Sequence, residues 1–231
     1  DGTKTHKLVL EGVFGPVYKV TSTKKLMDDK QLADLKIVCM LLKYTDEERK
    51  LVSKMNYQEE MDFLVAHEKR NKTISNLTAA QKGNTLVLYQ YVEKHGEVLY
   101  NMMKNDHTNR TIYFVHGGTE TDQREQIRAL TEKSDNTIII ASYGTFSTGI
   151  NIRNLNNVVF ASPSKSRIRI LQSLGRGLRK SEIKTKCNLF DIGDDLSWKE
   201  KKNYTLNHVL ERIKMYNEEN FNYKVVNIDA S

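Results

Sequence analysis

The chain has 231 residues, 39% of them hydrophobic and 28% charged, which is ordinary for a globular protein and long enough for one large domain or a domain and a half. A net charge of +7 and a pI near 9.2 favour a polyanionic partner without naming one. Cys39 and Cys187 are far apart, with no CxxC and no nearby histidine pair, which argues against a disulfide framework or a zinc site. No apolar run reaches bilayer length and DGTKTHK is no signal peptide, so a cytoplasmic location is expected.

In chain order, residues 1 to about 36 carry EGVFGPVYKV, an extended stretch with turn residues, and then TSTKKLMDDKQLADL, which reads as a short helix. LKIVCMLLKY, 35–44, reads as a buried strand. Residues 45–82 are charged, nearly free of breakers and helical in spacing, with Met61, Leu64, Val65, Ile74 and Leu77 as the apolar stripe, and Gly83 ends them. A regular alternation follows. NTLVLYQYV (84–92) predicts a strand, HGEVLYNMMKND a helix, RTIYFVHG (110–117) a strand and TDQREQIRALTEKS a helix. NTIIIAS (136–142) and NVVFASP (157–163) predict two more strands, QSLGRGLRK a helix and CNLFDIGD (187–194) a further strand. Short apolar strands separated by helices imply a parallel sheet covered on both faces, with ligands at the carboxyl ends of the strands. From Trp198 to Met215 a basic amphipathic helix is expected, with Leu206, Val209, Leu210 and Ile213 on its apolar face, and FNYKVVNI could form a last strand. No internal repeat or low-complexity segment is present.

Three constellations could carry chemistry. In VHGGTETDQREQ, Gly117 and Gly118 stand where a strand gives way to a helix; they either let backbone amides approach a phosphate or make a tight turn. SYGTFSTGINIRN supplies hydroxyls at Ser142, Thr145, Ser147 and Thr148 with Gly144 and Gly149, a loop that could hold a sugar-phosphate backbone or be an ordinary polar turn. In SPSKSRIRILQSLGRGLRKSEIKTK basic residues are dense, and a solvated face accounts for the lysines. As a helix at about 100° per residue, Gln172, Arg176 and Arg179 fall within roughly 60° of one another, and Leu171, Leu174 and Leu178 cluster about 130° away. Guanidinium groups held outward on a leucine-anchored helix suit bidentate capture of phosphate oxygens and of charge developing in phosphoryl transfer. There is no GxxxxGK[ST] phosphate loop, and DDK, DEER and DIGDD lie in the wrong context for a metal-holding acidic pair. An arginine helix without a phosphate cradle is half of a site.

The order of NTLVLYQYV, VHGG with Arg124 downstream, STGIN and QSLGRGLRK, the last matching Q-x-x-G-R-x-x-R in every fixed position, resembles the second RecA-like domain of a superfamily-two DNA helicase. Within that superfamily the likeness is nearest to phage recombination and repair helicases, so a host cytoplasm is implied for a phage-encoded protein. The resemblance implies an α/β fold with a RecA-like parallel sheet and helices on both faces. It divides the chain into a connector from a missing first RecA-like domain (1–34), the second RecA-like domain (35–195) and a C-terminal helical extension packed on it (196–231). It implies that Arg176 is an arginine finger, with Arg179 as its companion and Gln172 orienting the nucleotide or the attacking water. Gly149, Asn151 and Gly175 would join the interface that senses ATP. His116, Gly117, Thr145, Thr148, Lys165 and Arg167 would touch the nucleic-acid backbone. The sequence departs from the usual pattern at Gly144, where a threonine is common, and at Asn151, where an aspartate is. ATP and Mg2+ would be bound mainly by the missing first domain, and the partners would be that domain and branched or forked DNA. The alternatives are a non-catalytic nucleic-acid-binding module and half of an RNA helicase.

Overall fold

In the structure, a computed structural model, the described residues are 34–106, 109–148, 152, 154–163 and 186–229, with 147 and 148 described by backbone alone. Each apolar run foreseen in 34–229 is a strand: β1 (Asp34–Lys43), β2 (Thr85–Tyr89), β3 (Thr111–Val115), β4 (Thr137–Ser142), β5 (Asn157–Phe160), β6 (Lys186–Asp195) and β7 (Tyr223–Asp229). They form one sheet in the order β3-β4-β2-β5-β6-β1-β7, every neighbouring pair parallel. The central strands β2, β4 and β5 are buried at every residue, whereas the edge strands β3 and β7 are not. Burial on both faces is why these strands read as unbroken apolar runs without alternation.

Successive side chains still divide between the two faces. Leu86 and Leu88 of β2 join Ile139, Phe160, Leu189, Met215 and Tyr216 in one apolar cluster. Val87 and Tyr89 join Ile140, Val159, Ile192, Leu64, Ile74 and Leu99 in the other. The second cluster is covered by α1 (Asp46–Val52), α2 (Tyr57–Ala66), α3 (Glu68–Ala79) and α4 (Glu97–Asn105). The first is covered by α5 (Thr121–Glu132), α6 (Tyr143–Thr148) and α7 (Tyr204–Glu218).

Three elements differ from expectation. The helical stretch 45–82 is three helices, because Thr45 and Asn56 form capping boxes with Glu48 and Glu59, and His67 accepts a bond from the Arg70 amide. Its stripe is as expected: Met61, Leu64, Val65 and Ile74 are buried. Gly83 ends the segment at φ +81, where a Cβ would lie 2.5 Å from the Asn156 side chain. The polar segment after β4 is not a loop throughout: Tyr143–Thr148 is a short helix. The C-terminal helix starts at Tyr204, six residues later than the spacing suggests, because Trp198 and Lys201 close a tight turn. Leu210 is exposed, while Arg212 is buried.

Arg212 is inside because β6 holds a partner for it. Its Nε donates to both Asp191 oxygens at 2.9 Å and its Nη2 to Oδ1 at 2.7 Å, and Tyr216 donates to the same carboxylate at 2.8 Å. On the other face, Arg70 of α3 donates from Nε and Nη2 to Asp194 at 2.8 and 3.1 Å and from Nη2 to the Ala161 carbonyl at 2.8 Å, and Tyr44 donates to Asp194 at 2.6 Å. Asp191 and Asp194 are three apart on one strand and so face opposite ways. Burial pushes the Cys39 thiol, beside Asp191, up to about 12, which leaves it unreactive. Removing one partner of a buried pair strands a charge, at about 3–5 kcal/mol. Arg212→Ala should lose that much unfolding free energy in urea denaturation, and Arg212→Met combined with Asp191→Leu should regain most of it. A loss under about 1 kcal/mol for the single variant would contradict the pairing's role.

Candidate functional site at the carboxyl edge

All strands run the same way, so their carboxyl ends share one edge of the sheet, where open α/β sheets bind ligands. After β3 the chain turns tightly through His116-Gly117-Gly118-Thr119. The Thr119 amide donates to the His116 carbonyl and the His116 amide to Thr119 Oγ1, both at 3.0 Å. The Gly118 amide donates to His116 Nδ1 at 3.1 Å, which puts the proton of the neutral ring on Nε2. Arg124, one turn into α5, braces the turn from below, donating from Nε to the Thr119 carbonyl at 2.8 Å and from Nη2 to the Gly117 carbonyl at 3.0 Å. Gly117 is exposed, with nothing within 4 Å of where a Cβ would stand. His116 packs on Phe114 at 5.3 Å and remains partly exposed. The motif is a tight turn, with the Gly118 amide taken up by His116 and Gly117 exposed.

After β4, Ser142 begins α6. Its Oγ accepts from the Thr145 amide at 3.2 Å and lies 2.7 Å from the Thr145 hydroxyl. Both side chains are buried, Thr145 at 4% exposure, so its hydroxyl serves the helix start. The surface of this turn is Gly144, exposed and with open space at its Cβ position. The Thr148 backbone closes α6. Gly149, Asn151, Lys165, Arg167, Gln172, Gly175, Arg176 and Arg179 lie outside the described residues, as do the leucines behind the arginine face and the first 33 residues.

The exit of β5 leads toward that segment and is fixed by a network that the sequence does not suggest. Ser162 Oγ accepts from the Gln90 amide at 3.1 Å and lies 2.8 Å from His95 Nδ1, and Tyr143 donates to the Ser162 carbonyl at 3.0 Å. His95 Nε2 meets Asn71 Oδ1 at 3.2 Å, and Asn71 donates to the Val65 carbonyl at 2.8 Å. Because Asn71 Oδ1 only accepts, His95 carries its proton on Nε2 and takes the Ser162 hydroxyl proton at Nδ1. A π-turn over Val92–Gly96 delivers the ring, and Gly96 fits because a Cβ there would fall 2.5 Å from Tyr89. From sequence, HGEVLY reads as the solvated start of a helix, so no signal marked His95.

His95 is fully buried; burial first, and the nearby Arg70 charge second, hold its pKa well below 6.5. The unfolded chain therefore binds a proton below about pH 6.5 that the folded chain refuses. Stability from this group is full above pH 6.5 and falls with pH below it, by up to about 1.4 kcal/mol per pH unit. His95→Gln should flatten that part of a stability-against-pH curve measured from pH 7 to 5. An unchanged slope would show that His95 is not the group responsible.

Residues 68–181 match the helicase conserved C-terminal domain. The chain is 39% identical to the ATP-dependent DNA helicase uvsW of Enterobacteria phage T4 over 94% of its length, and it spans about half, 46%, of that relative. The crystal structure of T4 UvsW superposes with a TM-score of 0.75 at 34% identity, covering 95% of this chain and 45% of that one. An ATP-dependent Type ISP restriction-modification enzyme bound to DNA shares the fold, with a TM-score of 0.63 at 16% identity over 96% of this chain and 17% of its own. The chain carries a helicase conserved C-terminal domain, and its parallel sheet is RecA-like.

Proposed function

We propose that this chain is the second motor lobe of an ATP-dependent DNA helicase or translocase acting on branched DNA, which completes an ATP site built mainly by a first RecA-like lobe. The observation that carries the reading is the similarity to a DNA helicase across nearly the whole chain, together with a sequence that has the Q-x-x-G-R-x-x-R motif and lacks the phosphate loop. In this reading Arg176 reaches the γ-phosphate, Arg179 supports it, Gln172 orients the nucleotide or the attacking water, and Gly149, Asn151 and Gly175 form the surrounding interface. His116, Gly117, Thr148, Lys165 and Arg167 line the DNA track, with Thr145 contributing through the backbone of α6. Residues 1–34 would connect the two lobes.

In this reading Mg2+ and the phosphate cradle belong mainly to the other lobe. Asp191 and Asp194 are occupied by Arg212 and Arg70, and among the described residues no group of three His, Cys, Asp or Glu side chains could hold a metal. ATP, when bound between the lobes, supplies the phosphoryl transfer whose developing charge the arginines meet; this chain's part is to hold guanidinium groups where that charge forms. Among the described residues no helix is long and apolar enough to cross a membrane.

An arginine finger is worth about 10³–10⁵ in rate. In the intact protein, Arg176→Ala should lower DNA-stimulated ATPase by at least about 10³-fold and leave DNA affinity within about twofold. Equal loss of both would favour a helix that merely grips phosphates. Fork DNA bound more tightly than an RNA duplex at matched salt supports the DNA assignment; the reverse order would support an RNA motor.

A further inference from the structure

Beyond the last residue of β6, at the same edge of the sheet, lies a surface that none of the helicase motifs includes. Trp198 and Lys201 exchange backbone hydrogen bonds at 3.0 and 3.1 Å, closing a turn in which Lys199 takes φ 54, a left-handed conformation unusual for any residue but glycine, asparagine or aspartate. The turn is held firmly. Arg49 Nε donates to the Ser197 carbonyl at 2.6 Å, Ser197 donates from its amide and hydroxyl to Asp195, and Lys201 Nζ donates to the Ser53 carbonyl at 2.5 Å. The Arg49 guanidinium lies 5.8 Å from the Trp198 ring centre, fixing the ring from one side. Trp198 is only half-buried and borders a cleft of about 450 Å³ that it shares with Ser53 and Lys201.

The charged residues that line this cleft are Lys199, Glu200 and Lys201. Lys199 and Lys202 are exposed and, among the described residues, pair with no carboxylate; Glu200 is the turn's one acid. Just past Lys202, Tyr204 stands 42% exposed against Tyr57 at 38%, ring centres 6.0 Å apart. A partly exposed tryptophan and a pair of exposed tyrosines, with two unpaired lysines between Trp198 and Tyr204 in the chain, have the form of a surface that stacks bases and follows phosphates. An acidic protein would satisfy the lysines but has no need of exposed rings. The turn follows β6, four strand spacings from β3, which puts it about 19 Å along the edge from the His116–Gly118 turn.

We infer that the Trp198–Tyr204 strip is a single-stranded nucleic-acid contact, with Trp198 as a base-stacking platform and Lys199 and Lys202 on the phosphates. The inference rests on the nucleic-acid reading above and extends the track sideways along the same edge.

Trp198 is the chain's single tryptophan and so reports on its own site. A fluorescein-labelled 20-mer oligothymidylate is titrated into the chain, with label anisotropy and tryptophan emission followed together. Anisotropy should rise while emission falls by about a third or more along the same isotherm. Trp198→Ala should weaken binding about fivefold or more, and Trp198→Phe should restore most of it. Lys199→Glu with Lys202→Glu should weaken binding further and flatten its salt dependence. Rising anisotropy with unchanged emission and unchanged affinity in Trp198→Ala would overturn the strip and leave the motor reading intact. Polyaspartate quenching Trp198 as strongly as the oligonucleotide would overturn base stacking in favour of an acidic-protein contact. No binding to any oligonucleotide would overturn both readings.

Discussion

The structure depends on one strand carrying two buried charges in opposite directions. Asp191 and Asp194 of β6 take Arg212 from one helical layer and Arg70 from the other. Each pair is desolvated, and hydrogen bonds to the carboxylates offset that cost: Tyr216 donates to the first and Tyr44 to the second, while Arg70 Nη1 is left buried without a partner. An apolar contact would tolerate sliding, whereas a forked guanidinium on a carboxylate sets both distance and angle. The pairs therefore register α3 and α7 against the sheet. Arg70 also reaches the carbonyl of Ala161, which ties the α3 layer to the exit of β5.

That registration matters because open α/β sheets bind ligands at strand exits. The Ala161–Ser162 exit is held by Arg70, His95, Gln90 and Tyr143 together, the Gly117 turn by Arg124, and the start of α6 by Ser142. Arg70, Tyr143 and Arg124 act on backbone carbonyls, and His95 and the Gln90 amide act on the Ser162 hydroxyl. The proposed docking of this lobe on a partner needs edge loops held in a defined geometry, and buried polar networks on a rigid sheet provide this. The acidic residues that looked out of place in DIGDD have the same structural purpose.

Much of the fold was legible because parallel strands buried on both faces are unbroken apolar runs: TLVLY, TIIIAS and NVVF could hardly be anything else. Helix breaks in 45–82 were less visible, since Asn56 and His67 act as caps only when their side chains turn back to the chain. The helical wheel put Leu210 inward and gave no reason to bury Arg212, because its partner lies 21 residues away on a strand. The Thr145 hydroxyl reads from sequence as one of a loop of donors, but in SYGT it lies buried beside the Ser142 hydroxyl at the start of α6. His95 had no local mark at all; its network spans Asn71, Gln90 and Ser162. The motif order, by contrast, was plain in the sequence, since it depends on residue identity and spacing rather than on long-range packing.

The central claim is that this polypeptide builds only part of a nucleotide site. The most direct measurement is ATP hydrolysis by the isolated 231-residue chain, with and without forked DNA. The account predicts no turnover above background in either condition, with DNA still bound; DNA-stimulated hydrolysis at the rate of an intact helicase would contradict it.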